Sequence, residues 1–329
     1  MGFVSVLVLV TGLFVGWSLG ANDGANAMGT AVGARVRTLR QAVVIVAVFG
    51  FLGSILLGGR VIKTIGKGIV PLDLVDPNQA LQIAVAAMLA GGLWITFATL
   101  LQMPVSTTHA TVGAVAGAGV AAGNVVIYWS KFQDIFLAWI LTPLGAGLIA
   151  LLMAKLFHVI MRRFPIHNDR VYAYLLTLSG IYMAFTWGAN DVANATGLIV
   201  GAGVLSPQMA AGLGGLAIAA GVSTMGYRVM ETIGTRITHL VPAMAFVAEL
   251  AAAVNVHLYT SLGIPVSTTH AIVGAVFGVG LANGRAALNA RTARDIVMAW
   301  AATPLAAGFL AFIVYHVINP IFLLQSCQP

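Results

Sequence analysis

Residues 20–29 read GANDGANAMG, and residues 188–197 read GANDVANATG. The second copy keeps eight of the ten residues of the first. Another motif is also duplicated: residues 104–114 read PVSTTHATVGA, and residues 265–275 read PVSTTHAIVGA. Polar motifs that recur inside apolar sequence are typical of membrane proteins in which two internal repeats share one binding site. The duplications therefore predict a two-repeat architecture.

The composition fixes the environment of the chain. Hydrophobic residues make up 60% of it, charged residues only 8%, and the mean hydropathy is +0.98. Soluble domains carry about 25% charged residues. Residues 3–19, 41–57, 133–160 and 296–318 are apolar, and such stretches approach or exceed the ~20 residues that a helix needs to cross a bilayer. The chain is predicted to be an all-α polytopic membrane protein.

Three smaller features exclude other classes of protein. Cys327 is the single cysteine, so no internal disulfide is expected. The net charge of +7 comes from basic residues scattered over short loops, which favours membrane orientation over nucleic-acid binding. Residues 1–19 lack a basic start and run directly into the first motif, so they are interpreted as a first span and not as a signal peptide.

The two repeats can be aligned beyond the motifs. An offset of 168 residues relates Asp23 to Asp191 and residues 58–66 to residues 226–234. An offset of 161 residues relates Trp139 to Trp300 and Pro143 to Pro304. The prediction is an N-terminal repeat at residues 1–163, a cytoplasmic hinge at residues 164–170 and a C-terminal repeat at residues 171–329.

The loop charges predict that the repeats are inverted. If each repeat crosses the bilayer an odd number of times, equivalent loops face opposite sides, and basic loops face the cytoplasm. The loop of Lys131 and Asp134 is neutral, as is the loop at residues 201–207. Three segments are basic and are predicted to be cytoplasmic, which places both termini on the extracytoplasmic side. These segments contain Arg35, Arg37 and Arg40; Arg162, Arg163 and Arg170; and Arg285, Arg291 and Arg294 against Asp295.

The first motif is predicted to bind a cation. A carboxylate at bilayer depth costs about 2.5–3.5 kcal/mol, and no Lys or Arg lies within either copy to compensate Asp23 or Asp191. Amide oxygens surround both carboxylates, and a hard cation prefers oxygen ligands. Sodium is favoured, with helices interrupted near Gly20 and Gly188 to free backbone carbonyls. The alternative is structural: amides bond between helices, and small residues allow close packing. The amides are Asn22, Asn26, Asn190 and Asn194.

The second motif is predicted to begin a helix and to bind an anion there. Proline followed by hydroxyl residues is typical of a helix start, where free N–H groups and the helix dipole attract anions. Inversion would bring both starts together near the midplane, as a cradle for a tetrahedral oxyanion. Ordinary capping is one alternative. Another is an intramembrane hydrolase with a Ser106–His109 dyad. For His109 and His270, a hydrogen-bonding role is favoured over a proton relay.

Glu249 is a further acidic residue in an apolar stretch, at residues 243–254. Its equivalent at the 161-residue offset is Met88, so the repeat does not support a paired role. It is a candidate for an additional cation or proton site. A structural pairing, with Arg236 or with a neighbouring amide, is the favoured alternative.

The four motif copies together resemble the inorganic phosphate transporter (PiT) family. The pattern GAND-x-ANA in both halves, with PVSTTH in both halves, covers essentially the whole chain in the order of that family. The resemblance implies two inverted-topology repeats, about twelve membrane helices counting half-helices, and re-entrant hairpins near Pro104 and Pro265. It also implies cation-coupled phosphate uptake across the cell membrane by a homodimer.

The resemblance also implies a set of ligands. Phosphate would lie between the hydroxyl residues of the two PVSTTH copies, with the Asn-Asp pairs beside it, and sodium would lie between the aspartates and phosphate. The implied phosphate residues are Ser106, Thr107, Thr108, Ser267, Thr268, Thr269, Asp23, Asp191, Asn22 and Asn190. The implied sodium residues are Ala21, Asn22, Asp23, Asn26, Ala189, Asn190, Asp191, Asn194, Thr107 and Thr268.

Two questions about substrate and coupling stay open in the sequence. Proton coupling is an alternative to sodium, because protonated aspartates could carry protons. Sulfate is the alternative anion, although hydrogenphosphate can donate a proton to Asp23 or Asp191 and sulfate cannot, which would favour phosphate.

Overall fold

The computed structural model describes residues 2–103, 105–164, 168–232, 241–282, 284 and 290–326. Within these residues the chain forms thirteen α-helices and one short 3₁₀ turn, Leu72–Leu74, and no strand. The predicted all-α class is therefore confirmed. The helices are α1 (Phe3–Asp23), α2 (Ala25–Gly33), α3 (Leu39–Leu57), α4 (Gly59–Lys67), α5 (Pro77–Leu100), α6 (Thr107–Ala122), α7 (Trp129–Arg163), α8 (Asp169–Gly201), α9 (Pro207–Met225), α10 (Tyr227–Thr232), α11 (Pro242–Ser261), α12 (Thr268–Ala282) and α13 (Ala290–Ser326).

Seven helical segments of the described residues are long and apolar enough to cross a membrane: Phe3–Gly33, Leu39–Leu57, Pro77–Leu100, Trp129–Arg163, Pro207–Met225, Pro242–Ser261 and Met298–Pro320. Helices α6 and α12 are shorter, with 16 and 15 residues. At 1.5 Å per residue such a helix is about 24 Å long, less than the ~30 Å of the hydrocarbon core. Both are therefore shorter than a full span, and we call them half-helices below. Their predicted half-helix role and the total of twelve membrane helices stay predictions.

Ordinary local signals begin several of the helices. Thr38 caps α3 in a reciprocal capping box with Gln41. The Asp76 side chain accepts hydrogen bonds from the first turn of α5, and Ser206 does the same for α9. Proline occupies the first turn of α5, α9 and α11, where its missing N–H removes no helical hydrogen bond.

The predicted helix interruptions near Gly20 and Gly188 are wrong. Gly20 lies inside α1 and Gly188 inside α8, and the nearest break is a single residue at Gly24. Both glycines instead allow close packing between helices. A side chain at Gly20 would collide with the Ile218 carbonyl on α9, and one at Gly188 would collide with the backbone of Gly50 on α3. At these two positions the small-residue packing alternative is correct.

Each half-helix packs against a long helix of the other predicted repeat. On α6, a side chain at Gly113 would collide with the Pro304 backbone of α13. On α12, the equivalent Gly274 faces the Pro143 backbone of α7 in the same way. The pairs Gly117 with Gly308 and Gly278 with Gly147 repeat this contact one turn further on. The close approach is thus duplicated, and it is made crosswise between the repeats.

The predicted boundaries of the two repeats and the predicted membrane orientation of the loops and termini stay predictions. Helix α7 ends at Arg163 and α8 begins at Asp169, in agreement with a hinge between them, although residues 165–167 lie outside the described residues. Lys131 and Asp134 form an ion pair at 3.6 Å within α7, and not in a loop. Residues 233–240, with Arg236, lie outside the described part, as do Arg285 and the side chains of Arg291, Arg294 and Asp295.

Candidate binding site at the starts of α6 and α12

The second motif begins a helix in both halves, as predicted. Helix α6 starts at Thr107 and α12 at Thr268. The Ser106 Oγ accepts a hydrogen bond from the His109 backbone N–H at 3.2 Å, and the Ser267 Oγ accepts one from the His270 N–H at 3.3 Å. The capping alternative therefore describes how both serine oxygens are used. Pro104 lies outside the described residues, and Pro265 is buried just before the second start.

Asn22 and Asn190 hold the segments that lead into these two helices. The Asn22 Oδ1 accepts a hydrogen bond from the Val105 N–H at 3.4 Å, and the Asn190 Oδ1 accepts one from the Val266 N–H at 3.2 Å. Their Nδ2 groups donate to Thr99 at 2.9 Å and to Thr260 at 3.0 Å. Both amides thus have a duplicated structural contact, and their role as ligands stays a prediction.

Asn26 and Asn194 connect the first motif of one half to the second motif of the other. The Asn26 Nδ2 donates to the Thr269 Oγ1 at 2.9 Å and to the Thr268 Oγ1 at 3.3 Å. The Asn194 Nδ2 donates to the Thr108 Oγ1 at 3.2 Å. The Thr108 hydroxyl in turn donates to the Val266 carbonyl at 3.1 Å. The structure therefore brings both motifs and both halves to one place.

Asp23 and Asp191 lie together at the centre of this place. Each is at most 2% exposed, and the two carboxyl groups are within hydrogen-bonding reach of each other. Asp23 accepts hydrogen bonds from Thr107 at 2.5 Å, Asn26 at 3.2 Å and Thr269 at 3.4 Å. No Lys or Arg of the described residues forms an ion pair with either aspartate.

Four buried oxygen atoms of the site have no hydrogen bond of normal geometry within the described part of the chain. They are the Oδ1 atoms of Asn26 and Asn194 and both carboxylate oxygens of Asp191. The Trp187 indole and the Thr268 hydroxyl lie beside Asp191 without satisfying it. A buried unsatisfied polar atom requires an explanation such as an ion. Carboxylate and amide oxygens are suitable ligands for a hard cation.

The interruption that would free the carbonyls of Ala21 and Ala189 is not found at the predicted positions. Ala189 lies inside the continuous helix α8, and Ala21 lies three residues before the break at Gly24. Both residues are buried. Their role as carbonyl ligands stays a prediction, and it lacks the support of an unwound helix.

Behind the helix starts, two histidines and two tryptophans form a reciprocal group, which we call the His–Trp quartet: His109, His270, Trp139 and Trp300. The His109 ring lies 3.7 Å from the Trp139 ring, and its Nδ1 is 2.9 Å from the Trp300 carbonyl. The His270 ring lies 3.6 Å from the Trp300 ring, and its Nδ1 is 3.1 Å from the Trp139 carbonyl. The two histidine rings are 4.5 Å apart.

Two ranges of the chain match a known protein family. The model of the phosphate transporter family matches residues 19–172 and 161–311. The chain belongs to this family. The matched ranges contain both copies of both motifs, and they make the protein a membrane-embedded transporter and not an enzyme.

Individual relatives of this phosphate transporter agree with the assignment. It is 33% identical to a protein named "Putative phosphate permease" from Pyrococcus furiosus, with 96% of each chain covered. A protein of the same name from Chlamydia muridarum is 32% identical over 98% of this chain and 100% of its own. A solved structure named "The sodium-dependent phosphate transporter" matches with a TM-score of 0.88 and 31% identity, over 97% of this chain and 100% of the other.

The geometry of the transporter agrees with the exclusion of a Ser106–His109 hydrolase dyad. The Ser106 Oγ contacts the backbone of His109 and not its ring. Because a carbonyl can only accept, the His109 Nδ1 carries the proton that bonds to Trp300, and its Nε2 has no partner among the described residues. The hydrogen-bonding interpretation of both histidines therefore describes their contacts better than a proton relay does.

Glu249 forms a separate polar group of the transporter. It is 0% exposed on α11, and it accepts hydrogen bonds from Thr30 at 2.8 Å and from Ser179 at 3.2 Å. These three oxygen-bearing side chains come from α2, α8 and α11. Hydroxyl groups thus take the structural role that was predicted for Arg236 or an amide, and a further cation or proton site at Glu249 stays a prediction.

Some contact residues of the transporter were missed in the sequence. Thr99 and Thr260, which bond Asn22 and Asn190, are related by the same 161-residue offset as the tryptophans, so the repeat alignment could have found them. The repeat alignment does not point to Thr30 and Ser179 as partners, because Glu249, which they contact, aligns with Met88. At the 168-residue offset, Thr30 aligns with Leu198, and Ser179 aligns with Thr11.

Proposed function

We propose that this transporter moves inorganic phosphate together with sodium ions by alternating access in the cell membrane. The observation that carries the proposal is the buried pair Asp23 and Asp191, which has no ion-pair partner among the described residues. Four oxygen atoms at this place accept no hydrogen bond there: both of the Asp191 carboxylate and the Oδ1 atoms of Asn26 and Asn194. The similar solved structure is that of a sodium-dependent phosphate transporter, which supports the choice of ion here.

In this proposal the free oxygens bind sodium. Asp191, Asn26 and Asn194 offer oxygen atoms that no hydrogen bond of the described residues uses. Thr107 and Thr268 add hydroxyl oxygens next to Asp23 and Asp191. A cation at this position would offset the cost of burying two carboxylates, which is several kcal/mol per unpaired ion.

Phosphate would bind at the helix starts. The first N–H groups of α6 and α12 and their hydroxyl side chains are donors, and the helix dipoles favour a negative charge at this end. The proposed phosphate residues are Ser106, Thr107, Thr108, Ser267, Thr268 and Thr269, all of which are at most 3% exposed.

Charge balance would then couple the two substrates. Two unit charges 4 Å apart repel by about 4 kcal/mol at an effective dielectric constant near 20. Phosphate beside Asp23 and Asp191 is therefore expected to bind tightly only when cations are already present. Two sodium ions with one hydrogenphosphate would form a neutral cargo.

A second candidate is proton-coupled transport. Its support is the contact between the Asp23 and Asp191 carboxyl groups, since two adjacent carboxyl groups can share one proton. Sulfate is the alternative anion in either case. If Asp23 or Asp191 accepts the hydrogenphosphate proton, sulfate should compete poorly for uptake.

Uptake of labelled phosphate into proteoliposomes tests the proposal. We expect uptake that requires an inward sodium gradient and persists when the pH is equal on both sides. Uptake driven equally well by a pH gradient without sodium would assign the proton as the coupling ion. Phosphate uptake that is tight and fast without either gradient would contradict coupling altogether.

The proposal includes both termini on the extracytoplasmic side and a homodimer. Cys327 is the single cysteine of the chain, so it gives a site-specific label without mutagenesis. A thiol reagent that cannot cross membranes should label Cys327 in intact cells, and Cys327→Ser should abolish the signal. Labelling only after the membrane is permeabilised would place the C-terminus in the cytoplasm. Cross-linking in the membrane would test the homodimer.

A further inference from the structure

A cleft of about 880 Å³ lies behind the proposed binding site, between α6, α7 and α13. Its deep end is lined by the His–Trp quartet, and its outer walls by apolar residues of the two long helices. Among the residues that the structure describes, no charged side chain lines it. The wall residues used below are Ala116, Phe136, Ile140, Ala301, Leu305 and Phe309.

The cleft opens toward the hydrocarbon of the bilayer. Both helices that flank it contain candidate membrane spans, Trp129–Arg163 and Met298–Pro320. The outer wall residues are exposed: Leu305 by 75% and Phe309 by 69%. At the deep end, in contrast, Trp139 is 5% exposed. The cleft therefore leads from the lipid-facing surface to the base of the transport site.

Water is a poor occupant of this cleft. A bound water needs two to four polar partners, and apolar cavities stay dry. The Nδ1 atoms of His109 and His270 are already bonded to carbonyl groups. Their Nε2 atoms are buried without a partner among the described residues, and no surface of them reaches the cleft. The volume is within the ~300–1,000 Å³ that is usual for small-molecule sites.

We propose that this cleft binds an acyl chain of a membrane lipid. The lining is almost entirely apolar, the opening faces the bilayer, and hydrocarbon chains are the molecules present there. The bound chain would contact the rings of His109 and His270, which directly follow Thr108 and Thr269 in sequence. A lipid in this position would therefore pack against the back of the proposed phosphate site. The proposal does not depend on which ion drives transport.

Two neighbouring alanines allow a matched test. Ala301 lines the cleft, and Ala302 is exposed on the same helix but does not line it. Ala301→Phe should fill the cleft, whereas Ala302→Phe adds the same bulk outside it. The purified protein and both variants would be examined by native mass spectrometry in mild detergent, which reports bound lipid and oligomeric state together. We expect lipid on the wild type and on Ala302→Phe, and at least about tenfold less on Ala301→Phe.

A second measurement covers the case in which Ala301→Phe does not fold. In vesicles of lipids with brominated acyl chains, the fluorescence of the buried Trp139 should be quenched. The contribution of Trp139 is the difference in quenching between the wild type and Trp139→Phe. Equal lipid retention in both alanine variants, or no Trp139 contribution to quenching, would overturn the proposal. If the wild type carries no lipid and is a dimer, and Ala301→Phe is a monomer, the proposal is also overturned. The cleft would then be a contact between two copies of the chain.

Discussion

Asp23 and Asp191 are the same residue of a duplicated motif, yet their surroundings differ. Asp23 accepts three hydrogen bonds, from Thr107, Asn26 and Thr269. Asp191 accepts none of normal geometry among the described residues, although Trp187 stands beside it where the first half has Leu19. Duplicated sequence has therefore produced one satisfied carboxylate and one available carboxylate. We infer that Asp191 is the principal cation ligand and that Asp23 supports the hydroxyl groups around it.

The His–Trp quartet shows the opposite behaviour. Its two halves have ring distances of 3.7 and 3.6 Å and hydrogen-bond distances of 2.9 and 3.1 Å. Both histidines contact a helix of each predicted repeat, because Trp139 lies on α7 and Trp300 on α13. The scaffold behind the site is thus symmetric, while the carboxylates in front of it are not.

The largest expected effect separates the two aspartates. Asp191→Asn should lower sodium-driven phosphate uptake by about 100-fold or more, because it removes the free carboxylate. Asp23→Asn should lower it by about tenfold, since the amide oxygen can still accept from Thr107. Initial uptake rates in proteoliposomes, normalised to inserted protein, would measure both. Equal losses, or a larger loss for Asp23→Asn, would show that the two carboxylates are equivalent in the working protein.

A methyl group added at either of the two packed glycines should destabilise the protein to a similar extent. Gly20→Ala and Gly188→Ala each place a methyl group against a neighbouring helix backbone and should lower the free energy of unfolding by about 1–3 kcal/mol. Gly212→Ala is the matched control, because no atom lies within 4 Å of the added methyl group. Thermal denaturation of the purified protein would measure all three. Unchanged midpoints for Gly20→Ala and Gly188→Ala would contradict the close packing of these glycines against the neighbouring helices.

The quartet provides a test of symmetry. His109→Asn and His270→Asn each remove the ring contact with one tryptophan and the contact between the two histidine rings. Each should lower the maximal uptake rate by about three- to tenfold, and by the same amount, because stacked rings contribute about 0.5–1.5 kcal/mol. The phosphate concentration at half-maximal uptake is the accompanying measurement, and it should change little. A clear difference between the two variants would mean that the asymmetry extends behind the site.

The smallest expected effect concerns Trp187. Trp187→Phe keeps an aromatic ring beside Asp191 and removes the indole N–H, so Asp191 should attract a cation slightly better. The sodium concentration for half-maximal uptake should fall about threefold, which corresponds to less than about 1 kcal/mol. Leu19→Met at the equivalent position is the control and should have no effect. A rise in that concentration for Trp187→Phe would assign the indole a direct role in binding.

Much of the site could be predicted because its residues recur at fixed offsets. Thr107, Thr108, Thr268 and Thr269 stand out in the repeated motif, and the helix starts follow from capping chemistry. The sequence does not distinguish a glycine that unwinds a helix from one that permits close packing, so the interpretation of Gly20 and Gly188 was wrong. That distinction depends on which backbone lies opposite, and Ile218 and Gly50 are far from these glycines in sequence.

Other features depend on contacts that have no repeat equivalent. Glu249 is held by Thr30 and Ser179, and only the tertiary structure brings these residues together. The difference between Asp23 and Asp191 is of the same kind, since their motif neighbours are nearly identical. Small differences in side-chain position decide which oxygen atom is satisfied, and residue types do not encode them.

The crosswise packing of the half-helices has a consequence for biogenesis. Helix α6 packs on α13 of the second half, and α12 packs on α7 of the first half. The ribosome must therefore synthesise helices α7 to α12 before α6 can meet its partner, and contacts of such long sequence separation form slowly. Until α12 and α13 are synthesised, Asp23 and the polar start of α6 lack their final neighbours, so we expect the nascent protein to be sensitive to quality-control proteolysis during that interval.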